Sequence, residues 1–100
     1  MKLTELAGII RSKNAGPATL TFDIFFHDEA GFTRAIAAPA LTSESIAKLY
    51  DCDPALVTRH AMPAVLALKI SLPRAIVAGT PGDGDAYGAQ QHGPLLGLEL

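Results

Sequence analysis

One hundred residues, 49% of them hydrophobic and 18% charged, suit a single domain over 1–100 that can bury a core. Eight basic and ten acidic residues are scattered without blocks and leave a net charge of −2, with no basic stripe for a phosphate backbone, which excludes nucleic acid as a partner. Strand-sized apolar runs, a lone Cys52 and an early Glu5 exclude a membrane helix, an internal disulfide and a signal-peptide core, so a cytoplasmic protein is expected.

Along the chain, Leu3, Leu6, Ala7 and Ile10 fit helical spacing while Ile9-Ile10 equally suits a short strand. Asn14-Ala15-Gly16-Pro17 breaks whatever precedes it. Leu20, Phe22, Ile24 and Phe26 then alternate with Thr21, Asp23, Phe25 and His27, the period of a strand with one apolar face. Phe25 on the polar side hints that this face is partly covered too. His27 to Gly31 reads as the exit turn. A helix is expected over Phe32 to Ala38, stopped by Pro39. A second is expected over Ser43 to Tyr50, with Thr42 as N-cap and Ile46, Leu49 and Tyr50 as its apolar stripe.

Leu56 to His60 reads as a short strand or a turn, ended by Met62-Pro63. Leu66, Leu68, Ile70 and Leu72 alternate as a second clear strand, which Ile76-Val77 extends past a bend at Pro73. Leu96, Leu98 and Leu100 read as a terminal strand. Strands with one apolar face plus amphipathic helices give an α+β fold, an antiparallel sheet with helices on one side.

Two polar stretches interrupt this pattern, Arg11 to Pro17 and Pro81 to His92. In the first, Arg11, Ser12, Lys13 and Asn14 beside the permissive backbone of Gly16 suit a carboxylate or phosphate. The alternative is a turn whose Asn14 caps its own backbone while the cations are solvated. In the second, Asp83 and Asp85 are too few for a dedicated metal site, and the glycine spacing fits no nucleotide fingerprint, so no cofactor is expected. Gln90 and His92 share a side of an extended chain, with Gln91 between them, and His92 is suited to proton transfer. A loop histidine bonded to backbone serves the same pattern. Tyr87 packs the loop or joins the ligand. Cys52, between Asp51 and Asp53, is expected to have a raised pKa and not to act as a nucleophile.

Ser12-Lys13-Asn14-Ala15-Gly16-Pro17 and Tyr87-Gly88-Ala89-Gln90-Gln91-His92 together resemble the marks of a small family, the domain of unknown function 4387. The resemblance runs over essentially the whole chain, including Pro81-Gly82-Asp83 and Pro94 to Glu99, and names no reaction. The order of elements is also similar to the ferredoxin-like C-terminal domain of the acyclic terpene utilisation A proteins. There an Arg-Ser-Gly-Asp-Lys-Gly-Asp stretch occupies the place of Arg11 to Pro17, whereas here Gly-Asp is absent and Asn14 stands instead. That resemblance implies a ferredoxin-like sheet, a separate large subunit as partner, and a small carboxylate or acyl-CoA as ligand.

Two functions follow as expectations. One is a small subunit of a heteromeric lyase or isomerase, in which Lys13 anchors a negative group and His92 moves a proton during hydration, dehydration or isomerisation. The other is a non-catalytic homo-oligomeric module that binds a small anion. A charged fraction below the roughly 25% usual for soluble domains points in either case to a surface covered by another subunit. The two polar stretches are expected to converge on one site.

Overall fold

Apolar residues at every second position, Leu20, Phe22, Ile24 and Phe26, make Thr19–Phe26 the strand on which the other elements are arranged. The computed structural model describes residues 1–15, 18–73 and 93–100. Within them lie α1 (Leu3–Leu6), β1 (Ala7–Asn14), β2 (Thr19–Phe26), α2 (Glu29–Ala37), α3 (Ser43–Tyr50), β3 (Thr58–Met62) and β4 (Ala67–Pro73). The strands form one sheet in the order β1-β2-β4-β3, and every pairing is antiparallel. Short connections joining β1 to β2 and β3 to β4 favour that geometry. The architecture is α+β, one antiparallel sheet under one helical layer, with α2 and α3 consecutive between β2 and β3.

Leu20, Phe22, Ile24 and Phe26 of β2 and Leu68, Ile70 and Leu72 of β4 face the helices and are buried. Phe32 and Ala35 of α2 and Ile46 and Ala47 of α3 complete this core. The Phe26 and Phe32 rings meet edge to face with centroids 6.0 Å apart. Those of Phe22 and Tyr50 lie at 5.0 Å, and burial pushes the Tyr50 hydroxyl pKa up.

Local chemistry sets the helix ends. Asp28, expected in a turn, instead opens α2: its carboxylate accepts from the Gly31 N–H at 2.7 Å, so the helix begins three residues earlier than the apolar pattern indicates. The Thr42 hydroxyl accepts from the Ser45 N–H at 3.2 Å, and α3 covers the expected residues. It stops at Asp51, whose positive φ of 54° is a conformation Asp tolerates better than most residues. Leu49, expected in the buried stripe, is exposed. Ile46 and Tyr50 are one full turn apart, and with the small Ala47 between them they point α3 at the sheet and leave Leu49 on its flank.

The ambiguous opening resolves as both alternatives in succession, α1 and then β1. Ala7 pairs with Phe26 and Ile9 with Phe25, so Gly8 is the extra residue of a bulge. The bulge resets the alternation and turns both Ala7 and Ile10 toward the helices. A Cβ at Gly8 would sit 3.2 Å from the His27 ring.

The expected terminal strand is replaced by a helical turn, Gly93–Gly97, followed by one isolated antiparallel bridge between Lys2 and Glu99. Pro94 has no N–H to give a ladder and Gly97 has no side chain to pack. Leu95 is the residue that is buried, while Leu96 is exposed. Leu3 donates to the Leu98 carbonyl at 3.0 Å and Leu100 to that of Met1 at 2.8 Å, so the two ends of the described chain are tied together. The proposed extension through Ile76-Val77 lies outside the described residues.

Candidate functional site

The Arg11–Asn14 stretch is strand, not loop, and alternation divides it between the two faces of the sheet. Ser12 and Asn14 pair with Phe22 and Leu20 and share their helix-facing side, Ser12 being buried there. Arg11 and Lys13 pair with Asp23 and Thr21 on the opposite face. The expected ligand set Arg11-Ser12-Lys13-Asn14 is therefore not one cluster. Gly16, Asp83, Asp85, Tyr87, Gln90, Gln91 and His92 lie outside the described residues, and so does the expected convergence of the two polar stretches.

The opposite face carries two polar rows read off the strand register. Arg11, Asp23, Lys69 and His60 form one, and Lys13, Thr21, Ser71 and Thr58 the other. A third row, Ile9, Phe25, Ala67 and Met62, is apolar. Helices α1, α2 and α3 pack on the other side of the sheet. Thr21 and Asp23 on the middle strand are buried, whereas Arg11, Lys13, His60 and Thr58 toward the rims are exposed.

Arg11 is already committed. Its Nε donates to Asp23 Oδ2 at 3.4 Å, and its guanidinium carbon lies 5.2 Å from the centre of the Phe25 ring, a cation–π arrangement. This half-exposed pair contributes little to stability, but it fixes the guanidinium and neutralises it. Lys13 and Lys69 make no ion pair among the described residues. Among the described residues this face carries three cations, Arg11, Lys13 and Lys69, against the one carboxylate of Asp23, on a chain whose net charge is −2.

In the second row, Thr21 Oγ1 and Ser71 Oγ are 3.4 Å apart. Ser71 and Thr58 also line a cleft of about 380 Å³ at the β1–β2 hairpin end of the sheet, with Ala18, Thr19, Leu56, Leu72 and Pro73. The cleft itself offers neutral hydroxyls and short apolar walls, and the row that runs into it adds the Lys13 ammonium on β1, a set suited to holding an anion.

Two other groups lie apart from this face. Arg59 Nη2 donates to the Ile36 carbonyl at 3.3 Å in the last turn of α2, where a cation is favoured. Burial, then Asp53 and Asp51, push the Cys52 thiol pKa up, which favours the neutral thiol as its acidic neighbours imply. No group of three or more metal-ligating side chains occurs among the described residues, and none of their helices is long and apolar enough to cross a membrane.

Lys69, His60, Thr58, Thr21 and Ser71 were missed as site candidates. Their signal was the polar half of each alternation, which is normally solvated surface and becomes a site only when the register places those halves side by side.

Fold and site together define a small α+β protein with a cationic, hydroxyl-bearing sheet face. The chain belongs to the family described as Domain of unknown function (DUF4387), whose model matches residues 3–99. No curated protein and no solved structure matches it.

Proposed function

We propose that this chain is a small accessory subunit that works with a larger protein to bind a small carboxylate or acyl thioester, its positive sheet face forming part of the shared site. The observation that carries this reading is the presence of Lys13 and Lys69, neither held in an ion pair among the described residues, on a face whose third cation Arg11 is kept in place by Asp23. Isolated cations on a sheet contribute little to the fold that bears them, and an anion brought to them gains charge-assisted hydrogen bonds. Exposed Ile9 at the edge of this face suits apolar contact with a partner.

A large protein of the acyclic terpene utilisation A type is the partner this reading favours, with hydration, dehydration or isomerisation as the chemistry. Lys13 would anchor the acid group, and His92 would supply proton transfer. The non-catalytic alternative, a homo-oligomer that binds an anion, draws support from the positive sheet face, since a complementary negative surface on a second copy would meet it.

Co-expression with a large protein of that type, followed by size-exclusion chromatography, separates the two. The proposed subunit co-elutes with it, and activity requires both chains. Self-association of the isolated chain with no uptake of the large protein would support the alternative, and a soluble monomer active alone at micromolar concentration would contradict both.

A further inference from the structure

We propose that the cleft at the hairpin end of the sheet is the seat of a short hydroxy- or oxo-monocarboxylate, with Lys13 binding its carboxylate. This rests on the reading of the sheet face given above and names the ligand class for it.

The geometry is continuous from cation to cleft. Lys13, Thr21, Ser71 and Thr58 occupy one row on four adjacent strands, and the last two line the cleft. Two strand spacings, about 10 Å, separate the Lys13 and Ser71 backbones. A lysine's four-carbon stem and a small acid together bridge that distance. Thr21 is buried, and the 3.4 Å approach of its hydroxyl to Ser71 helps orient the Ser71 side chain. Hydroxyls of Thr19, Thr58 and Ser71 both donate and accept, so they suit a ligand hydroxyl or carbonyl. Leu56, Leu72, Pro73 and Ala18 supply walls for a short aliphatic body.

Charge and size narrow the class. Lys13 faces the row alone, because Arg11 is engaged by Asp23. With Lys13 as the one cation of its row among the described residues, a single negative charge is matched more closely than the dianion of a phosphate ester. At about 380 Å³ the cleft stands near the lower end of the ~300–1,000 Å³ typical of small-ligand pockets. It therefore suits the free acid, or the acyl part of a thioester, and not a whole nucleotide-bearing carrier.

The test is an amide NMR titration of the purified chain with 3-hydroxybutanoate and 2-oxobutanoate, with inorganic phosphate in parallel. Both acids should shift the Thr58, Ser71 and Leu72 amides in a saturable way and more tightly than phosphate. Lys13→Ala and Ser71→Val should each weaken binding at least tenfold while the dispersed spectrum is retained. Lys13→Gln, which keeps the stem without the charge, should behave like Lys13→Ala. Absence of saturable shifts at those amides, phosphate binding as tight as the acids, or unchanged affinity in folded Lys13→Gln would each overturn the inference. Partner uptake without acid binding in the cleft would remove this inference and leave the subunit reading standing, and the converse result would do the opposite.

Discussion

Replacing Phe22 with alanine is expected to remove about 3–5 kcal/mol of folding stability. Phe22 is fully buried, lies on β2 between Ser12 of β1 and Ile70 of β4, and packs its ring against Tyr50. Truncation would forfeit the transfer energy of the ring and leave a cavity between two strands and α3 that a hydrogen-bonded sheet cannot close. Against a total of about 5–15 kcal/mol for a natural domain, that is a large share of the margin. The urea midpoint read by circular dichroism should fall steeply. A loss below about 1 kcal/mol, within the range of a surface change, would show that Phe22 is not at the centre of the core.

Leu95→Ala is expected to cost about 2–5 kcal/mol, while Leu96→Ala stays within about 0.5 kcal/mol. Leu95 is 0% exposed and Leu96 43%, although alternation with Leu98 and Leu100 assigns them the other way round. Paired denaturation curves of the two variants measure the difference directly. A larger effect at Leu96 would restore the terminal strand and contradict the helical turn at Gly93–Gly97.

How far each element was legible follows from how local its cause is. The bounds of α3 could be read because its Thr42 cap acts within a turn of the chain, while the outward turn of Leu49 depends on how the helix sits on the sheet. Strands β2 and β4 could be read because Leu, Ile and Phe mark their buried faces without interruption. Strand β1 could not, because the residues it turns toward the core include Ser12 and Asn14, which look like loop residues, and because a bulge at Gly8 shifts its period. The start of α2 was hidden in the same way, since Asp28 serves a cap and a turn equally well.

The candidate site was legible only as loose parts. Arg11 and Lys13 stand out as cations beside the Asn14-Ala15-Gly16-Pro17 break in the sequence, but their alignment with Lys69, His60, Ser71 and Thr58 is a matter of register between strands more than 40 residues apart in the chain. No local pattern carries that information. The division of Ser12 and Asn14 from Arg11 and Lys13 is the converse case, since adjacency in sequence separates residues on a strand.

Lysine footprinting by reductive methylation, with and without the large partner, tests the central claim most directly, because the chain carries its own controls. Its four lysines are Lys2, Lys13, Lys48 and Lys69. Lys13 and Lys69 belong to the cationic sheet face, whereas Lys2 precedes α1 and Lys48 lies on α3. If the sheet face is the functional surface, Lys13 and Lys69 lose reactivity when the complex forms and Lys2 and Lys48 keep theirs. Protection of Lys48 or Lys2, with Lys13 and Lys69 as reactive as in the free chain, would contradict the account and move the site to the helical side of the molecule.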